Sequence, residues 1–272
     1  MARQRLGQHF LADAGWREEI ARAIRVSPQS IAPAPSGNSA EFCWIEIGAG
    51  HGEMTEHLAS TGVPVYAIEL DPRLAATLNR LAKRFPNLEI VSADILETEV
   101  GKIAGGRRAR IYGNLPYYIT SPILHRLFAS AEIIDEIHIV IQHEVALRLV
   151  AQPGTRDYGY LSVLTQYFSR PELVLEIPRE AFRPPPEVSS ALVTLRFPGE
   201  RANLPNLDES KFLDFVKLCF SQKRKTLVNN LKSRMKADVI RRALGKLNVR
   251  ADARAEQLSV ANFAALFQAL QP

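Results

Sequence analysis

The chain has 272 residues, 34 Lys and Arg against 29 Asp and Glu, and a net charge of +5. Hydrophobic residues make up 46% and charged ones 23%, globular usage that excludes a disordered or collagen-like chain and leaves one large domain or two unequal ones. Its two cysteines, Cys43 and Cys219, exclude a disulfide scaffold and fit buried thiols in a reducing compartment, and no Cys/His cluster supplies a zinc site.

The opening MARQRLGQHFLAD is basic but lacks the apolar core of a secretory signal, and no apolar run approaches the ~20 residues of a membrane span. The expectation is a cytoplasmic monomer with no membrane contact and no metal. Residues 28–39, PQSIAPAPSGNS, read as an exposed Pro/Ser-rich loop. Five short Ile- and Val-rich runs follow: CWIEIGAG, VPVYAIEL, LEIVSADI, ARIYGNLPY and EIHIVIQ. Most lead into helix-periodic stretches such as RLAATLNRLAKRF, the pattern of βαβ units and a parallel sheet. LVLEIP and SALVTLRF come later with no long helix between them and are expected to close the sheet as an antiparallel pair. Residues 198–208 are rich in Pro, Gly and Asn, and every segment beyond is helical. The expected domains are therefore 1–200 and 205–272.

Charge is unevenly placed. Between Lys217 and Arg254 stand twelve Lys and Arg and only two acids, so this stretch carries +10 and the remainder −5. Leu218, Phe220, Leu227, Leu231, Val239, Ile240, Leu244 and Leu247 recur at helical intervals among the charges, which predicts amphipathic helices with a basic outer face. Such a segment is either a solvated helix surface or the footprint of a polyanion binder.

Three motifs carry chemistry. Glu46-Ile47-Gly48-Ala49-Gly50-His51-Gly52 ends the first strand, where glycines permit a tight turn and close approach of a ligand. A dinucleotide fingerprint needs glycine at position 53, which is Glu53, so the spacing suits a nucleoside without a pyrophosphate, such as S-adenosylmethionine (SAM); a plain strand–helix turn is the alternative. Glu69, at the end of the second strand, can accept both ribose hydroxyl hydrogens, with Asp71 as its rival. Asp94, after the third, can accept from an adenine amino group, although either acid could instead be a helix cap. Asn114-Leu115-Pro116-Tyr117 follows the fourth strand. The Asn114 side-chain carbonyl and Leu115 backbone carbonyl can accept from an exocyclic amine and free its delocalised lone pair, Pro116 fixes the loop, and Tyr117 can stack on an extruded base. That chemistry needs no metal and no strong general base; an Asn-Pro turn with core aromatics is the alternative.

Taken together, the sequence resembles the small-subunit ribosomal RNA adenine dimethyltransferase family over nearly its whole length. The segments that carry the likeness are GQHFL (7–11), EIGAGHGEMT (46–55), IELD (68–71), NLPY (114–117) and QHEVALRLVAQPGTRDYGYLSVLTQY (142–167). They continue with AFRPPPEVSSALV (181–193), FSQKRKTLVNNL (220–231) and RAEQLS (254–259). The resemblance implies an α/β, Rossmann-like seven-stranded SAM-dependent methyltransferase sheet with a small all-α C-terminal domain. It implies dimethylation of the N6 of two adjacent adenosines near the 3′ end of 16S rRNA in the small ribosomal subunit, with S-adenosylhomocysteine as coproduct. It places His9, Leu11, Gly48, Gly50, Glu69, Asp94 and Asn114 around SAM, and sets Phe182 across the target base from Tyr117, whereas the residues alone read Phe182, ahead of Pro184, Pro185 and Pro186, as a buried side chain. Lys223, Arg224, Lys225, Asn229 and Asn230 would then meet the RNA backbone. Three positions depart from the family pattern. His9 stands where Asn is common, and Glu187 and Ser189 stand where Lys and Asp are common. Alternatives in view are the resistance-type large-subunit dimethyltransferase, a non-catalytic assembly checkpoint on the same fold, and an NAD dehydrogenase, which the missing third glycine disfavours.

Overall fold

The computed structural model describes residues 9–26 and 42–271. The basic opening stretch before His9 and the Pro/Ser-rich stretch at 28–39 lie outside them. A two-residue strand β1 (Phe10–Leu11) leads to α1 (Ala14–Ala23), whose N-terminus Asp13 caps by accepting from the Trp16 N–H at 3.0 Å. Alternation then sets in, with β2 (Phe42–Ile47), α2 (Glu53–Ala59), β3 (Val65–Glu69), α3 (Pro72–Ala82), β4 (Leu88–Ser92), α4 (Val100–Ala104), β5 (Arg108–Asn114), α5 (Thr120–Phe128) and β6 (Ile134–Gln142). α6 (His143–Val150) and α7 (Tyr160–Phe168) precede β7 (Arg170–Ile177), β8 (Phe182–Arg183) and β9 (Ser190–Arg196).

Seven strands form one sheet in the order β4–β3–β2–β5–β6–β9–β7. Strands β2 to β6 pair in parallel, and β9 runs antiparallel to β6 with Ile139 opposite Val193. The five predicted runs are the five parallel strands, and the two later runs are the neighbours β7 and β9. Helices cover both faces of a parallel sheet, so its central strands are apolar almost throughout; Cys43, Trp44, Ile45 and Ile47 of β2 are all buried. The chain steps outward from β2 to β3 and β4, then returns to β5 on the other side of β2. That reversal opens a crevice at the carboxyl ends of the strands, the usual ligand position in such sheets.

A second small sheet pairs β1 antiparallel with β8, Leu11 opposite Phe182. Two residues per strand carry no periodicity, so no pattern in the sequence signals it.

The contacts divide the chain into two compact units: residues up to Ala146 with Glu172–Phe197, and Leu147–Pro171 with Pro198–Pro272. The division differs from a contiguous cut near residue 200, and aromatic packing gives the reason. Tyr167 lies 5.1 Å from Phe212 between ring centroids, Tyr158 6.3 Å from Phe220, and the Arg201 guanidinium 5.1 Å above Phe168. The second unit continues with α8 (Glu209–Cys219), α9 (Leu227–Leu231), α10 (Ala237–Lys246) and α11 (Val260–Leu270). Leu227, Leu231, Ile240 and Leu244 are buried as the periodicity requires, whereas Val239 is 36% exposed. Both cysteines are buried and free. Among the described residues no helix is long and apolar enough to cross a membrane, and no His, Cys, Asp and Glu group could hold a metal ion.

Candidate active site

The carboxyl edge of the parallel strands brings three adjoining depressions together, and Gly48 lines all of them. Gly48 has φ +69°, and a Cβ there would meet nothing within 4 Å, so bare backbone faces open space. Gly50, φ +60°, sits so close under the Phe10 ring that a Cβ would come within 3.0 Å of it. The Gly50 N–H donates to Glu69 Oε2 at 2.8 Å, and the Asp71 N–H donates to Oε1 at 2.8 Å. Two backbone donors thus aim the Glu69 carboxylate and leave each oxygen a further lone pair. Asp71, its rival, is occupied as the N-cap of α3, accepting from the Arg73 N–H at 2.8 Å. Asp94 shares a largely apolar depression with Ile68, Leu70, Ile95 and Ile119. Its Oδ1 accepts from the Leu96 N–H at 2.8 Å, which leaves Oδ2 for a ligand.

Asn114 ends β5, and its Nδ2 donates to the His9 backbone carbonyl at 2.8 Å. With the amino end committed, Oδ1 remains as an acceptor. Leu115 is 1% exposed, its N–H held by the Val140 carbonyl at 3.0 Å. Pro116 opens a short 3-10 turn, Tyr117–Ile119, that carries Tyr117 to the cavity wall. The Tyr117 hydroxyl is 2.8 Å from Ser190 Oγ; burial raises its pKa, against the lowering effect of that hydrogen bond, and keeps the phenol neutral. Tyr118, next in the turn, is 63% exposed.

His9, Gly48, Gly50, Glu69, Asn114, Leu115, Pro116 and Tyr117 therefore share one cavity, with Leu11 and Asp94 on its neighbours. Phe182 is different. It is fully buried, belongs to the core cluster with Leu11, Trp44 and Tyr112, and lines none of the three depressions. Its backbone pairs with Leu11, and its side chain packs in that core. The ring that faces Tyr117 is the His9 imidazole, centroids 5.7 Å apart and planes 25° from parallel.

Sequence reading missed two groups here. Glu46, 2% exposed, has its carboxyl pushed up to about 8 by burial, against the lowering hydrogen bond from the Thr55 hydroxyl, with Glu53 and Glu69 raising it further. The Tyr112 hydroxyl is buried beside the same depression without a hydrogen-bond partner among the described residues. The signal for Glu46 was present as the acid before the first glycine, but an acid ending an apolar strand gives no hint of its own burial.

In the second unit, Lys223, Arg224 and Lys225 are exposed in the turn between α8 and α9, not on the predicted helix faces. The Lys223 ammonium donates to the Arg156 carbonyl at 2.6 Å. Asn229 is exposed, with Nδ2 3.1 Å from Thr226 Oγ1. Asn230 is 5% exposed and donates to the Cys219 carbonyl at 2.6 Å, so it holds the end of α8 and is unavailable to a phosphate.

Strand order and the Gly, Glu and Asn edge define an α/β protein of the methyltransferase class. The chain belongs to the ribosomal RNA adenine dimethylase family, whose model matches residues 1–272. Among curated relatives, the ribosomal RNA small subunit methyltransferase A of Koribacter versatilis is 38% identical, spanning 98% of this chain and 94% of its own. That of Xylella fastidiosa strain Temecula1 is 37% identical, spanning 98% and 96%. Of solved structures, a dimethyladenosine transferase from Plasmodium falciparum superposes with a TM-score of 0.78 at 23% identity over 96% of both chains, a likeness of fold. The 23S rRNA methyltransferase ErmE gives 0.69 at 27% identity over 96% of this chain and 99% of its own.

Proposed function

We propose that this ribosomal RNA adenine dimethylase uses SAM to dimethylate the N6 of two adjacent adenosines near the 3′ end of 16S rRNA, acting as a cytoplasmic monomer on the small ribosomal subunit. The carrying observation is Asn114: its amide nitrogen is tied to the His9 carbonyl and its oxygen is left as an acceptor in a cavity shared with Glu69 and Tyr117.

The residues present fit the cofactor. Gly48 would let it approach the backbone, the free lone pairs of Glu69 would take a ribose, and Asp94 Oδ2 with its apolar neighbours would take adenine. Glu53 puts a carboxylate, and Glu46 a carboxyl whose proton burial retains, beside the neighbouring depression, where the ammonium of a zwitterionic amino-acid end would sit. Bound there, SAM supplies an electrophilic methyl group on a sulfonium sulfur. The protein's part is alignment and desolvation. Asn114 Oδ1 and the Leu115 carbonyl accept the two N6–H groups and bend the amine toward tetrahedral geometry. The freed lone pair would face the methyl group that SAM would supply, and the proton that N6 gives up would pass to water. After one transfer a single N–H remains, so one acceptor suffices for the second.

The test is transfer of labelled methyl to small subunits from cells lacking this modification, followed by nucleoside analysis. N6,N6-dimethyladenosine at two adjacent positions is expected. Label on naked 23S RNA alone would move the protein to the large-subunit class, and binding without transfer would make it an assembly factor. Asn114→Ala is expected to lower turnover at least about 100-fold while RNA retention on filters changes less than threefold. Near-normal methylation by that variant would remove Asn114 from the chemistry.

A further inference from the structure

We propose that the Tyr112 hydroxyl is a cofactor contact, accepting a hydrogen bond from the α-ammonium of the amino-acid end beside Glu46 and Glu53. The inference rests on the proposed function, since it takes SAM or its coproduct as the ligand, and it adds a residue to that site.

Sheet register brings the groups together. Tyr112 of β5 stands opposite Glu46 of β2. Neighbouring strands lie about 4.8 Å apart, so the two side chains project side by side from one face, and Asn114, two residues further along β5, projects from the same face. All three line the depression that also holds Gly48, Glu53 and Met54. The Tyr112 ring belongs to the core cluster with Leu11, Trp44 and Phe182, and the residue is 2% exposed. Its hydroxyl has no hydrogen-bond partner among the described residues, although a buried hydroxyl ordinarily has one. The Thr55 hydroxyl donates to Glu46 Oε2, so the Glu46 side chain is held in place at the floor of the depression.

Charge decides which part of an amino acid belongs there. Among the described residues lining this depression there is no Lys or Arg, whereas Glu46 and Glu53 are both present. Such a surround favours an ammonium over a carboxylate. Burial first, and Glu46 and Glu53 after it, hold the phenol's pKa above its ordinary value, so the hydroxyl stays neutral and keeps lone pairs to offer an N–H donor.

The experiment uses the full chain and reads equilibrium binding by calorimetry, with no turnover required. Wild type and Tyr112→Phe are titrated with three ligands. S-adenosylhomocysteine carries the whole amino-acid end, S-adenosyl-3-thiopropylamine keeps the ammonium without the carboxylate, and 5′-methylthioadenosine lacks both. Loss of one hydrogen bond to a charged group predicts that Tyr112→Phe raises Kd for the first two by roughly 10- to 100-fold. Kd for methylthioadenosine should stay within about twofold. The ligand-free variant should melt no lower than wild type, because removing an unpartnered buried hydroxyl costs the fold nothing. Unchanged affinity for S-adenosylhomocysteine would overturn the assignment. An effect that vanishes with the thiopropylamine would give the hydroxyl to the carboxylate. Equal weakening of methylthioadenosine, or a lower melting temperature without ligand, would make the hydroxyl a structural group. Each of these overturns the inference and leaves the proposed function standing. A wild type that binds none of the three ligands would remove the SAM reading itself, and the inference with it.

Discussion

Glu46 shows what one buried carboxyl does to the stability of this fold. Unfolded, it loses its proton near 4.5; folded, near 8, because burial disfavours the anion more than the Thr55 hydrogen bond favours it. Between those values the folded state binds the extra proton, so this group makes stability fall as pH rises from about 4.5 to about 8 and leaves it level beyond. Glu46→Gln keeps an acceptor for Thr55 and removes the titration. The variant is expected to match wild type below pH 4 and to gain on the order of 4 kcal/mol by pH 8. At roughly 2–4 °C per kcal/mol for a chain of this size, that is several degrees of Tm. A difference in Tm that does not change with pH would refute the buried-acid account. Much at this scale was legible in sequence: the glycine spacing, Glu69, Asp94 and Asn114 all stand at strand ends, where alternation with helices puts them on one edge. Phe182 was legible in part: its residue type alone reads as a buried core side chain, which it is, and only the family resemblance set it across a base.

The turn between α8 and α9 concentrates the exposed charge of Lys223, Arg224 and Lys225 in three consecutive residues. Each phosphate contact contributes roughly 0.7–0.9 to the slope of log K against log salt. Replacing all three by Ala is therefore expected to flatten the slope by about 2.1–2.7 and leave the folded state nearly unchanged; an unaltered slope in a KCl titration would take this turn off the RNA path. Helical periodicity located α8 to α10 but assigned these cations to a helix face. A seven-residue break in a periodic pattern is easily read through, whereas Thr226, whose hydroxyl accepts from the Asn229 N–H at 3.3 Å, marks where the next helix begins. The loop after β8 shows a second departure. Glu187 and Ser189 are exposed, while Ser190 is buried with its hydroxyl on Tyr117, so the family-atypical residues sit on the outside and the site contact on the inside.

For the whole molecule, the proposed cofactor is a nucleoside without a pyrophosphate. A saturating nucleoside should therefore stabilise the fold by mass action. S-adenosylhomocysteine at 100 times its Kd is expected to add about 2.7 kcal/mol, visible as a Tm shift of several degrees, while NADH adds none. The opposite order would return the protein to the dehydrogenase alternative. The sequence by itself determined the parallel sheet, the glycine turn, the acids at strand ends and the helical tail. Each is written in local periodicity or short spacing, and local chain geometry is enough to express it. Tertiary structure decided what depends on residues far apart in the chain. Asn114 takes its orientation from a carbonyl 105 positions earlier, and His9 reaches a loop 175 positions later. Leu147–Pro171 joins the C-terminal unit because its aromatics find Phe212 and Phe220 there. None of these is visible to a period or a spacing, because the energy that selects them comes from contacts formed only once the chain has folded.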